Sequence, residues 1–403
     1  MNRLIRTLVL VMLVAGVSGC GEVRPTTDSR PVGGDLEKLG LRTYWDYHLK
    51  LGRGESISSI HRIEDRVYCL TSRNRLVALD ALTGVRQWEV EVCPARDRVF
   101  RPIHFKGMVL TEKVPGIGEM LSPRAPSMPP FDAVLINSAS QLLVIDRENG
   151  RVARRIPLDF VASCGGATDG KYFYVGDTRG WYYAVALKEA IRTWTLSAAD
   201  TITAPMVYFG NVLYVGSQDS TLRAIRVGVI GQELGKNILG GPITAGFHVD
   251  NRGCFVPCED NRLYTFTRGL SQRLWDHPFV CRGPLRQPVQ VGEKTVFQLA
   301  DRDKLYAINL VNGQERWSLP RGVQVLAASG GDVYVRDARG RLLVVDEILG
   351  TVKNSAWLTG LDVFVGNATD ESIWAGGRHG RVVCIRPASA GFVTAEMLRK
   401  AAP

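Results

Sequence analysis

The sequence is poor in the residue groupings that active-site chemistry needs. Six histidines in 403 residues (His48, His61, His104, His248, His277 and His379) stand one at a time, none of them in an H-E-x-x-H pair. No serine downstream of residue 19 sits in a G-x-S-x-G elbow, and no glycine loop has phosphate-binding spacing. The eight cysteines (Cys20, Cys69, Cys93, Cys164, Cys254, Cys258, Cys281 and Cys384) include no adjacent pair and no zinc-type spacing. The first apolar run, Leu8 to Val17, is too short to span a bilayer comfortably. Little is left from which to build a zinc hydrolase, a serine hydrolase or a nucleotide site, and the histidines read as structural or surface residues.

What the chain does have is glycine, 42 residues of it, as expected where turns are many. Charged residues make up 22% and apolar residues 45%, ordinary proportions for a soluble globular protein. The formal net charge is +10, or about +8 without Arg3 and Arg6. That excess favours anionic surfaces such as lipid headgroups and does not by itself indicate nucleic acid.

Residues 1–19 read as a targeting segment. Arg3 and Arg6 give a positive start, the apolar run follows, and Val17-Ser18-Gly19-Cys20 resembles the bacterial lipobox. The resemblance implies cleavage before Cys20 and acylation of that cysteine, with stable anchoring because more than one chain is attached. Gly21 is not the aspartate associated with inner-membrane retention, so the expectation leans to the outer membrane, facing the periplasm. Residues 20–40 hold Pro25, Pro31 and Gly33-Gly34 with little apolar surface, and read as a flexible tether. As a coil, Glu22 to Gly34 would reach ~20–25 Å.

From there the chain repeats. Leu76 to Trp88 reads LVALDALTGVRQW and Leu305 to Trp317 reads LYAINLVNGQERW. The fifth residue of that phrase marks eight copies: Asp80, Asp146, Ala186, Arg226, Thr267, Asn309, Asp346 and Arg386. They lie 66, 40, 40, 41, 42, 37 and 40 residues apart, so one insertion separates the first two. Gly84, Gly150, Gly313 and Gly350 fall four residues after the mark, where a left-handed backbone favours a residue without Cβ. About forty residues hold four short antiparallel strands and no crossover helix. Repeated radially, these are the blades of an eight-bladed all-β propeller spanning residues 41–403. The eighth copy lacks its tryptophan strand, and Tyr44 to Leu49 supplies one, so the N-terminal strand around Trp45 should close the ring. Thr394 to Lys400 is expected to form a short helix outside it.

The phrase resembles the PQQ-like, quinoprotein-type propeller repeat, over roughly residues 41–390. Eight such blades behind a lipobox are similar to the propeller lipoproteins of the outer-membrane β-barrel assembly machine. That resemblance implies a monomeric, non-catalytic, lipid-anchored scaffold with protein partners in the envelope, no cofactor and no nucleic acid. The alternative is a periplasmic quinoprotein (PQQ-dependent) dehydrogenase or a small-ligand-binding propeller. Against the dehydrogenase, such enzymes often carry a vicinal disulfide over the quinone, and this chain has no adjacent cysteines. Trp181 and Trp374 lie off the tryptophan position and are expected to pack between blades. Cys254 and Cys258 share one predicted strand at ~13 Å, beyond disulfide reach of about 7 Å. A bridge among Cys93, Cys164 and Cys281 is left open.

Two features suit partner contact. The insertion falls at about residues 113–131, between the first two strands of blade 2. It is proline-rich and carries Ile117, Met120 and Leu121. The second feature is a charge bias in the turns between second and third strands. In blades 7, 8 and 1 these hold Arg339 and Arg341, Arg378 and Arg381, and Arg73 and Arg75. The three five-residue windows sum to +5, the other five to −2. Once the ring closes, the three are neighbours, a basic sector suited to an acidic partner or anionic headgroups.

Overall fold

Each repeat unit folds into one twisted antiparallel sheet, in a computed structural model that describes residues 23–24, 36–111, 128–228 and 230–402. There are eight sheets, each of strands consecutive in sequence except the last. Blade 1 is typical: Ile57–Ile63, Arg66–Thr71, Arg75–Asp80 and Arg86–Glu91, paired in that order. The third strand ends at or beside the repeat mark in every blade, so the spacing located all eight.

The phrase makes physical sense as a row of side chains across the blade. Tyr68 faces Ala78, and Ala78 faces Trp88 on the outer strand. The small central residue lets the two aromatic rings meet over it, 5.8 Å apart between centroids. The row recurs as Tyr174-Ala184-Trp194 and Phe297-Ala307-Trp317, with ring separations of 5.7 and 6.0 Å. In blade 8 it is Trp374-Cys384-Trp45, which explains both Trp374 and the buried Cys384. Trp374 therefore packs as expected, in the aromatic slot of the second strand. Trp181 does not: it opens the third strand of blade 3 at the rim and stays 42% exposed.

The turn after the third strand is fixed by its first residue. The Asp80 carboxylate accepts the backbone N–H groups of Leu82 and Thr83 and the Thr83 hydroxyl, and Gly84 then bends back at φ +74°. That glycine has a second task. A Cβ at Gly313 would lie 2.5 Å from the Trp275 ring of the preceding blade, and one at Gly84 would lie 2.7 Å from the Trp45 ring. The tryptophan of one blade thus lies flat on the turn of the next.

The ring closes as expected. Leu41–His48 pairs with Arg381–Pro387 and completes blade 8 as its outer strand. Val23–Arg24 pairs outside it, making that sheet five-stranded. The helix Ala395–Ala401, capped by the Thr394 hydroxyl, lies against blade 1, where Gln87 donates to the Ala401 carbonyl at 2.7 Å. Blade 5 is the least regular. Its outer strand is reduced to Phe279–Val280, and the Trp275 segment runs beside the third strand without joining it as a regular strand. The insertion is bracketed by Ile103–Met108 and Phe131–Asn137, as the repeat alignment placed it. Ile117, Met120 and Leu121, like the lipobox and Cys20, lie outside the described residues.

Two alanine substitutions separate the docking role of these glycines from their backbone role. Gly313→Ala strains a left-handed residue and displaces the Trp275 ring, and should cost about 2–4 kcal/mol. Gly340→Ala, at φ +85° with open space around it, should cost only about 1–2 kcal/mol. Chemical unfolding midpoints of the two variants check the difference, which vanishes if the ring does not lean on the turn.

Candidate interaction surface around the ring closure

The ring has two faces. The upper face carries the turns between second and third strands, with the connectors that lead from each outer strand to the next blade. The lower face carries the remaining turns, including the base of the insertion.

On the upper face, backbone hydrogen bonds join the turns of blades 7, 8 and 1 into one surface. Leu358 N–H donates to Gly340 O, and Asp362 N–H to Gly376 O, tying the connector 358–362 to both turns. Leu49 N–H donates to Gly380 O, and Ser72 N–H to Ser56 O, so the connector 49–56 does the same between blades 8 and 1. The six predicted arginines are thereby brought together, but they divide into two kinds.

Arg75, Arg341 and Arg381 are committed to the fold. Arg341 pairs with Asp337 at 2.8 Å, Arg381 with Asp46 at 2.6 Å, and Arg75 with Glu55 at 3.2 Å while also donating to the Lys50 carbonyl. Asp337 is 1% exposed and organises its turn by accepting the N–H groups of Arg339 and Arg341. Burial alone would raise its pKa. The Arg341 backbone and guanidinium and the Arg339 N–H outweigh that, and hold the carboxyl below its ordinary range. Glu55 is likewise lowered, burial being overcome by Thr71, the Gly52 N–H and Arg75.

Arg73, Arg339 and Arg378 are exposed and make no ion pair among the described residues. The Arg73 guanidinium donates to the Arg53 carbonyl at 2.7 Å, and its backbone N–H to the Thr71 hydroxyl. Arg339 and Arg378 contribute backbone N–H groups to Asp337 and Asp362, leaving their guanidinium groups in solvent. Half of the sector is thus structural charge, and the other half is free.

Some features were invisible to sequence reasoning. On the lower face Val311, Ile348 and Leu349 are 83%, 44% and 71% exposed, and Leu82 in the equivalent turn of blade 1 is 43% exposed. A cavity of about 540 Å³ opens between blades 3 and 4, lined by Asp169, Tyr172, Tyr208 and Arg226 among others. Between blades 1 and 2, the Tyr68 hydroxyl meets His104 Nε2 at 2.6 Å beside Glu64, Asp65 and Arg147. Burial, aided by the Arg147 charge, pushes His104 down to about 4, so it is neutral at physiological pH. That network is an inter-blade clamp. Its signal in the sequence is only a histidine on the first strand of blade 2.

The seven cysteines described are all buried and unbridged. Burial pushes the Cys69, Cys164 and Cys384 thiols up to about 12, which leaves them unreactive. Among the described residues, no three His, Cys, Asp or Glu side chains converge on a point that could hold a metal ion.

The class these features define is a PQQ-like eight-bladed propeller closed by its own N-terminal strand. Comparison with known proteins makes it BamB-like. The family model described as "Outer membrane protein assembly factor BamB" matches residues 230–393, from the outer strand of blade 4 through blade 8. The crystal structure of BamB from Moraxella catarrhalis superposes with a TM-score of 0.62 at 15% identity, over 86% of this chain and 97% of that one. The computationally designed protein Ika8 superposes with a TM-score of 0.61 at 14% identity, over 84% of this chain and 98% of that one. No curated protein sequence matches. In all, 1511 chains of known structure share the fold, so the fold by itself does not select a function.

An acid titration tests the committed half. Both Asp337 and Glu55 have lowered pKa values, so their stabilisation is complete above the unfolded carboxylate range of about 4 and is lost as pH falls through the folded values. Asp337→Asn should flatten the loss of stability below about pH 4 while lowering stability at pH 7. Unfolding midpoints measured from pH 7 down to pH 2 check both signs.

Proposed function

We propose that this chain is a non-catalytic scaffold of the cell envelope, anchored by lipid at Cys20 to the outer membrane and facing the periplasm, and that it serves outer-membrane protein assembly. The observation that carries this reading is the BamB family match over residues 230–393. That stretch contains two of the three blades that build the contiguous arginine face. A surface of rigid turns presenting solvent-facing guanidinium groups is suited to contact with an anionic surface. The outer strands add a second mode of contact: Gln232–Ile238 and Val352–Trp357 are exposed along most of their length, and an incoming strand could pair with such an edge.

The small-ligand reading draws on the cavity between blades 3 and 4, where two tyrosines and an ion-capable pair, Asp169 and Arg226, meet. Purified protein given the quinone and Ca²⁺ should show neither cofactor absorbance nor dye-linked alcohol oxidation if the scaffold reading holds.

Cross-linking in intact cells, followed by partner identification, tests the function. The expected partners are components of the barrel-insertion machine; recovery of none of them would overturn it. Cys20→Ala should release the protein from the membrane fraction, and globomycin should block its maturation.

A further inference from the structure

The basic sector and the lipid anchor point to the same side of the ring. Leu41–His48 runs toward the upper face, where the next residue, Leu49, donates to Gly380 O. Val23 pairs with Tyr47, at the upper end of that strand, and Arg24 pairs with Asp46 below it. The chain therefore arrives at blade 8 from the upper side. Cys20 precedes Val23 by three residues, which span at most ~10 Å. An acyl chain on Cys20 enters its bilayer beside the turns of blades 7, 8 and 1.

Those turns have the composition of a bilayer-facing surface. Arg73, Arg339 and Arg378 are joined there by Lys50 and Arg53, both exposed, and none of the five has a carboxylate partner for its side chain among the described residues. Exposed carboxylates nearby are few: Asp362, at the Arg378 N–H, Glu89, paired with Arg75, and Glu91, opposite Arg75. Trp357 stands at the upper end of the outer strand of blade 7, opposite Arg341, and is 53% exposed. Tryptophan has an apolar ring and a single N–H donor, the combination that settles at the headgroup level of a membrane. Each cation near an anionic surface adds attraction that fades within a Debye length.

We propose that the upper face of blades 7, 8 and 1 lies against the anionic phospholipid surface that holds the anchor, with Trp357 at headgroup depth. This rests on the lipid-anchor reading above. The propeller then has a fixed orientation, its lower face directed away from the bilayer.

A photo-cross-linking residue placed singly at Arg53, Arg339, Val311 or Leu349 of the full chain tests this in intact cells, with metabolic fatty-acid labelling of Cys20 read from the same cultures. Phospholipid adducts are expected at positions 53 and 339 and about tenfold fewer at 311 and 349. In the same cells, the triple variant R73E/R339E/R378E should reduce adducts at position 53 by at least about fivefold. Labelled Cys20 with equal adducts on both faces, or with protein adducts in place of lipid at 53 and 339, overturns the orientation and leaves the anchor standing. Face-selective lipid adducts without label on Cys20 support the orientation and overturn the anchor.

Discussion

The ring depends on one interaction repeated around it: a side-chain N–H at the outer edge of each blade reaches a backbone carbonyl in the next. Trp45 donates to Ala81 O, Trp88 to Arg147 O, Trp194 to Gly228 O, Trp275 to Leu310 O and Trp317 to Glu347 O. Three blades lack the tryptophan and keep the bond. From the tryptophan register, Arg154 donates to Leu187 O and Asn354 to Lys38 O just before the closing strand; in blade 4 Gly235 takes that register and Asn237, two residues on, donates to Leu270 O. The circuit is complete, with each blade holding its successor. A turn carbonyl buried under a neighbouring blade would otherwise lose its water without replacement, at a cost of about 1–3 kcal/mol. The tryptophan answers that need and adds a large apolar ring. Where an arginine or asparagine stands in, the carbonyl is still satisfied, so the hydrogen bond is the stricter requirement of the two.

A circuit of this kind makes the blades rigid with respect to one another, and their turns become a fixed array. The arginine-bearing turns show how little sequence separates structure from surface. In Asp337-Ala-Arg339-Gly-Arg341 the first arginine sits at the tip and the second begins the next strand, within reach of the buried carboxylate. Ser72-Arg73-Asn74-Arg75 repeats the division with Glu55 as the acceptor. Arg378 and Arg381 repeat it with Asp46, a residue of the strand that closes the ring. One arginine of each pair thereby stiffens the turn from which the other projects.

Much of the architecture could be read in advance because the repeat binds every local feature to a period. The alternation of the third strand, the glycine four residues on and the tryptophan strand missing from the eighth copy together gave the blade number and the closure at Trp45. The side-chain row across the blade was harder to see. It joins residues such as Trp374, Cys384 and Trp45, which are remote in sequence and adjacent only once the ring has closed. Trp181 misled for the opposite reason: its type suggested packing, and its register placed it at a rim. For the candidate surface, sequence supplied the arginines and their neighbourhood. Which of them were already spoken for was not legible, because Glu55, Asp46 and Asp337 reach them from connectors, from the closing strand and from within the turn. The apolar lower turns at Val311 and Leu349 were missed because a single exposed residue carries no periodic signal.

The closing strand also sets an order of events. Residues 41–48 are made near the beginning of the chain, and their partner, Arg381–Pro387, near its end. In the unfolded chain, joining segments roughly 340 residues apart costs ~5 kcal/mol of loop entropy, the largest single closure in the molecule. The first strand of the fold therefore waits, unpaired, while seven blades assemble behind it. The ring becomes whole only when the last blade arrives to meet it.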